Sequence, residues 1–152
     1  MRTNEIVEKF LTLKKTMGAI LRKVELGEGI GITEMAILIK LADEKNVTLS
    51  KLSEITGYSN SLITFAVDSL EKKGLVKRIK GIDRRIFYVE LTDEGREKCI
   101  EMRKKINEKL MDLLSSLTND EIKELLDCME RVIEELKRAE LKSKNKLQGK
   151  DS

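Results

Sequence analysis

Seven basic side chains, Lys72, Lys73, Lys77, Arg78, Lys80, Arg84 and Arg85, fall within fourteen residues that contain a single acidic residue, Asp83. The segment therefore nets +6 in a chain whose formal total is only +3. Cations at this density suit phosphate binding, because each one neutralises an anionic oxygen and releases condensed counterions. The chemistry indicated is recognition of a polyanion. The alternative is a solvated charged face with no partner, and the two are separated by what surrounds the segment.

Composition removes most other chemistry. The chain has no histidine and two cysteines, Cys99 and Cys128, in 152 residues. Imidazole-based dyads and triads and His-ligated zinc are excluded, and two thiols fall short of a four-sulfur site. No phosphate-cradling glycine loop occurs, nor any paired carboxylates beyond helix-surface patterns. No residue is therefore put forward as catalytic or metal-binding, no cofactor is expected, and the chain is read as not an enzyme. With 38% charged residues, no apolar run near the ~20 residues a bilayer requires and no signal core behind Met1 to Glu5, it is read as soluble and cytoplasmic, without a membrane partner. An aromatic content of 3% with no Pro or Trp implies an aliphatic core and favours helices over a sandwich or barrel.

The elements that must position the basic segment follow from periodicity. Ile6, Phe10, Leu13, Met17, Ile20, Leu21 and Val24 recur at helical spacing, predicting a helix over about 4–25 that Gly27, Gly29 and Gly31 end. Thr33 is expected to cap a second helix carrying Met35, Ile37, Leu38, Leu41 and Ala42 to about Glu44. Thr48 caps a short helix with Leu49, Leu52 and Ile55 inward, Gly57 makes the break, and Ser59 caps another with Ile63, Ala66, Val67 and Leu70 inward. Two short helices around a glycine turn make a helix-turn-helix.

Beyond Gly74 the period shortens towards two. Leu75 to Lys80 and Arg85 to Leu91 read as strands joined at Gly81 to Arg84, a hairpin appended to the helix-turn-helix as a wing. The basic residues lie on that wing or beside it. Charge and motif coincide, which favours nucleic-acid binding over a solvated face.

Thr92 is expected to cap a helix to about Leu117 with Cys99, Met102, Ile106, Leu110, Leu113, Leu114 and Leu117 on one stripe. Thr118 and Glu121 form a capping box for a last helix with Ile122, Leu125, Leu126, Met129, Val132, Ile133 and Leu136 inward, and the lysine-rich 142–152 is expected to be a disordered tail. The fold class is thus mainly α: a winged helix-turn-helix module over 32–92 with a small β-hairpin wing, plus a long N-terminal helix within 1–31 and C-terminal helices within 93–141. Those outer helices carry more apolar surface than so small a module can cover, which points to dimerisation. A homodimer also sets paired helices about one DNA turn apart.

The arrangement resembles the MarR family of winged helix-turn-helix transcription regulators. Asp83-Arg84-Arg85 followed by Val89, Leu91, Thr92 and Gly95 is similar to the family's D-x-R, V-x-L-T and trailing Gly, and Asp68 to Val76 resembles its recognition-helix exit. The resemblance covers nearly the whole chain. It implies an obligate dimer whose recognition helix enters the major groove while the wing reaches the minor groove, and a repressor released by a small phenolic or lipophilic effector, or by cysteine oxidation in one branch.

On that frame Asn60, Ser61, Thr64, Phe65 and Asp68 form the outward face of the recognition helix, where many members of the family carry arginines. Asn60 is suited to an adenine edge and Thr64 and Phe65 to thymine methyls, so an A·T-rich pseudo-palindromic operator in double-stranded DNA is expected. The alternative for Phe65 is packing against the neighbouring helix. Arg84 and Arg85 suit a narrow A·T minor groove, with Asp83 orienting an arginine. Lys72, Lys73, Lys77, Arg78, Lys80 and Ser59 are the expected phosphate contacts.

Cys99 and Cys128 are read as buried structural thiols by default. The peroxide-sensing branch of the family places its reactive cysteine near the start of the first helix, where this chain has none, although Lys98 and Arg131 leave a redox-sensing regulator as an alternative. Phe10, Met17, Met35 and Tyr88 are the candidates to line an effector pocket, against plain core packing. Two further rivals are a winged protein-interaction module without specific DNA binding and an RNA-binding winged helix.

Overall fold

A computed structural model describes residues 2–24 and 29–150. The first helix ends at Arg22, where Lys23 donates its N–H to the Ile20 carbonyl, and so falls short of the expected residue 25; the break at Gly27 lies outside the described residues. Six helices and two strands run in the order α1 (Thr3–Arg22), α2 (Ile32–Asp43), α3 (Leu49–Thr56), α4 (Asn60–Lys72), β1 (Val76–Lys80), β2 (Phe87–Leu91), α5 (Asp93–Leu114) and α6 (Asn119–Lys150). By packing, the chain divides into Met1–Lys109 and Leu110–Ser152. Among the described residues no helix is long and apolar enough to cross a membrane.

In the first unit the core forms where α2, α3, α4 and the hairpin turn their apolar faces together. Ile37, Leu38, Leu52, Ile63, Leu70 and Met102 are fully buried, as are Val47, Val67, Val76 and Val89. Each contributes about 1.5–3 kcal/mol by leaving water. The 3.6-residue period explains α4: Ile63, Ala66, Val67 and Leu70 face in, which turns Asn60, Ser61, Thr64, Phe65 and Asp68 to the other side. The period of two explains the hairpin, in which Val76 pairs with Leu91 and Arg78 with Val89 in antiparallel register. Val47 adds a single bridge to Val89, whose N–H donates to the Val47 carbonyl at 2.7 Å.

The caps follow the sequence at most joints. Thr48 accepts the Lys51 N–H and Ser59 the Leu62 N–H. Gly57 closes α3 at φ 77°, the left-handed conformation that glycine adopts without steric cost. Thr33 is not the cap of α2. That helix starts at Ile32 behind an extended Gly31, whose carbonyl accepts the Met35 N–H at 2.9 Å, so Thr33 lies inside the first turn.

The first half of α5 belongs to the module: Cys99 and Met102 are buried, and Arg103 donates to Asp43 of α2 at 3.0 Å. The helix ends at Leu114 rather than Leu117, because Ser115 turns back on Asp112 through its hydroxyl and its N–H. In the second unit the capping box forms as expected, with Thr118 and Glu121 exchanging hydrogen bonds at 3.1 Å. The expected disordered tail is instead helical to Lys150, residues 151–152 lying outside the described residues. The composition from 141 to 148 includes no Gly or Pro, and Glu140 pairs with Lys144 one turn on at 3.3 Å, so lysine richness here extends a helix instead of ending one.

Candidate nucleic-acid interface

Asn60, Ser61, Thr64, Phe65 and Asp68 line one shallow, open depression on α4. Phe65 is 74% exposed, so it does not pack against the neighbouring helix. The Thr64 hydroxyl donates to the Asn60 carbonyl at 2.9 Å, which commits its proton to the helix and leaves a methyl and an acceptor lone pair outward. Ser59 caps the helix, so its hydroxyl sits among the first N–H groups, where an anionic oxygen is favoured.

Beside this face the hairpin presents its cations unequally. Lys72, Lys77 and Arg84 are exposed, and none has an ion-pair partner among the described residues. Lys80 lies 6.0 Å above the Phe87 ring, a cation–π distance that steadies it without neutralising it. At the turn the Asp83 carboxylate accepts the Arg85 backbone N–H at 3.0 Å and its guanidinium at 3.3 and 3.2 Å. The guanidinium, with the backbone bond second, holds Asp83 below the usual carboxylate range. The arginine that Asp83 holds is Arg85.

Comparison with known proteins fits this geometry. A MarR family model matches residues 30–87. The uncharacterized HTH-type transcriptional regulator YdgJ of Bacillus subtilis (strain 168) is 32% identical over 130 residues, covering 84% of this chain and 77% of that protein. The chain belongs to the MarR family.

Among solved structures, the transcriptional regulator BldR from Sulfolobus solfataricus superposes with a TM-score of 0.73 at 28% identity, covering 89% of this chain and 99% of that one. A MarR family protein from Bacillus stearothermophilus gives 0.72 at 23% identity over 90% and 99%, which speaks to the fold.

The MarR wing motif has a mechanical reading here. Val89 and Leu91 are core residues, 1% and 5% exposed. The Thr92 hydroxyl donates to the Gly74 carbonyl at 2.6 Å and accepts the Gly95 N–H at 3.0 Å, tying the exit of α4 to the start of α5. Gly95 is required by close approach, since a Cβ there would stand 2.0 Å from the Leu75 carbonyl oxygen.

Two expected phosphate contacts are engaged elsewhere. Lys73 bonds Glu34 at 2.7 Å and also donates to the Gly29 carbonyl, joining the end of α4 to the approach to α2. Arg78 is clasped by Asp68 and Glu71 of α4, and its pKa is raised, chiefly by the Asp68 hydrogen bond. Sequence reasoning missed these carboxylate partners. For Arg78 the available signal was that Asp68 and Glu71 lie three residues apart on the helix that leads into the basic segment; for Lys73 the sequence held no pointer to Glu34.

The four effector candidates are not alike. Met35 is in the core, and Tyr88 packs on the hairpin turn, its ring edge 2.9 Å from where a Gly81 Cβ would stand. Phe10 and Met17 remain about half exposed on α1. Cys99 is buried, with its thiol 3.7 Å from the Leu38 carbonyl it faces, whereas Cys128 is exposed on α6, contrary to the expectation of two buried thiols. Cys128 stands at the edge of the apolar stripe of α6, among residues that are themselves exposed in the single chain.

Proposed function

We propose that this MarR family regulator is a homodimer that binds an A·T-rich, pseudo-palindromic operator as a repressor. What carries the reading is that an exposed face made of Asn60, Ser61, Thr64 and the 74% exposed Phe65 stands beside a hairpin with unneutralised cations. The face offers an amide for adenine edges and apolar groups for thymine methyls. Ser59, Lys72, Lys77 and Lys80 hold phosphates, Arg84 and Arg85 enter the minor groove, and Lys73 and Arg78 position the elements instead of meeting DNA.

Dimerisation is supported by the apolar faces that α1 and α6 each leave uncovered. Phe10, Leu13 and Met17 on α1 and Leu126, Met129 and Ile133 on α6 are all exposed in the single chain. Surface of that extent favours burial against a second copy.

A small lipophilic ligand that releases the repressor is part of the proposal, with Phe10 and Met17 as the remaining candidates to touch it. The fold likeness to PcaV from Streptomyces coelicolor, solved in complex with its natural ligand, supports looking for one (TM-score 0.68, 21% identity over 88% of this chain and 93% of that one). Randomised-site selection with the full-length chain tests the core of the reading. An A·T-rich sequence with two-fold symmetry is expected, and a G·C-rich consensus, or preference for duplex RNA in competition, would overturn it.

A further inference from the structure

The most exposed apolar residue among those described is Ile82, at 108% of the reference exposure against 74% for Phe65 and 70% for Ile100. It sits at the apex of the wing, a place where turns ordinarily carry Gly, Asn, Asp or Ser. None of the described residues covers it, and the turn beneath it is held firmly. The Gly81 N–H donates to the Ile86 carbonyl at 2.8 Å, and the Ile86 N–H to the Asp83 carbonyl at 2.9 Å. The Asp83–Arg85 clasp closes the other side, and the Tyr88 ring lies against the Gly81 backbone.

The apex is therefore a β-branched aliphatic side chain, restricted at χ1, on a pre-formed loop, so little freedom is lost when it docks. Its surroundings choose the partner. Lys80, Arg84 and Arg85 flank it; Arg85 is matched by Asp83, but Lys80 and Arg84 have no ion-pair partner among the described residues, so an uncharged surface would leave those two cations unmatched. A nucleic-acid groove supplies both anionic walls and an apolar sugar lining.

We propose that Ile82 is the wing's readout element: an aliphatic probe of the minor-groove floor that selects A·T over G·C where the wing docks. The proposal rests on the DNA-binding reading above and deepens it. In the minor groove A·T pairs present only acceptors, whereas G·C adds the guanine 2-amino donor. A methyl pressed on that amino group blocks its hydrogen bond to water and offers none in return. Against A·T the same methyl meets a floor with no protruding group, and apolar wedges of this kind are a known means of minor-groove docking. The arginines then supply attraction, and Ile82 supplies the discrimination.

Inosine·cytosine pairs separate this from other readouts, because inosine keeps the major-groove edge of guanine and lacks its 2-amino group. Full-length wild type and Ile82→Ala are titrated on one selected duplex made in three versions, with A·T, inosine·C or G·C pairs beside each half-site. Wild type is expected to bind the A·T and inosine·C versions alike and the G·C version about tenfold more weakly, while Ile82→Ala shrinks that gap to about twofold or less. A fully exposed side chain leaves folding unaffected, which an unchanged melting curve verifies. The inference is overturned if Ile82→Ala keeps the full discrimination, or if inosine·C binds as weakly as G·C. If wild type binds no duplex at all, the DNA-binding reading falls and takes this inference with it.

Discussion

The guanidinium of Arg78 in β1 is held by the carboxylate of Asp68 in α4, with Glu71 one helical turn further on accepting a second bond at 2.8 Å. The strand that begins the wing is thereby fastened to the helix that carries the proposed base-reading face. The elements proposed to meet the major and the minor groove are thus positioned as one unit in the absence of DNA. Pre-positioning of this kind raises affinity by lowering the ordering cost of binding.

Arg78→Ala should consequently weaken DNA binding without changing its salt dependence, because the cation is already matched inside the protein. Lys72→Ala should weaken binding and also flatten its salt dependence. Each lost phosphate contact lowers the log–log salt slope by about 0.9, so removing one per protomer lowers it by about 2. Anisotropy titrations at several salt concentrations distinguish the two, and a slope change for Arg78→Ala would show that it meets phosphate after all.

Gly95→Ala should destabilise the module by about 1–3 kcal/mol, as overpacking in a closed site does. The added Cβ meets backbone atoms of Leu75 at 2.0 and 3.0 Å, which cannot swing aside as a side chain would. Thr92→Val should also cost stability, since its hydroxyl bonds both Gly74 and Gly95. Urea unfolding curves of both variants measure this, and a Gly95→Ala protein as stable as wild type would contradict the packing described.

DNA binding at fixed ionic strength should be flat between about pH 5.5 and 8, because the chain lacks histidine, the side chain that ordinarily titrates there. The carboxylates with shifted values move away from this window. Asp83 is lowered by Arg85, and Glu101 by Lys105 and then Lys98. A lowered carboxylate contributes stability that is present above its unfolded pKa and is lost as pH falls through its folded value, so the wing clasp loosens only in acid, below the ordinary carboxylate range. A binding midpoint near neutral pH would contradict this.

Much of this architecture was legible because it is local. The 3.6-residue spacing of Ile63, Val67 and Leu70 gave both the buried and the exposed side of α4, and the Thr118–Glu121 box marked the start of α6. What escaped was pairing between elements. Periodicity tells which way Lys73 and Arg78 face and says nothing of Glu34, 39 residues away, or of Asp68, ten away, so both cations were read as free to meet phosphate. The helical continuation past Leu141 escaped for another reason: lysine-rich composition reads as disorder unless the Glu140–Lys144 pairing is weighed with it. Ile82 carried no periodic signal at all, because its meaning lies in its exposure.

Charge placed in the α6 stripe should break self-association. Val132 and Ile133 are 42% and 43% exposed in the single chain, and a second copy would bury them. Ile133→Asp should shift sedimentation from dimer to monomer and abolish operator binding, since paired half-sites need both protomers. A variant that stays dimeric would place the interface elsewhere.

The salt dependence of operator affinity tests the central claim most directly, measured by anisotropy on the selected duplex with wild type and with Arg84→Ala/Arg85→Ala. Six to eight phosphate contacts per dimer predict a slope of about −5 to −7 and a loss of about 10³–10⁵ in affinity between 50 and 200 mM salt. The double variant should bind far more weakly, most of all where the minor groove is A·T-rich. A shallow slope for wild type, with the double variant unchanged, would contradict DNA regulation through this wing.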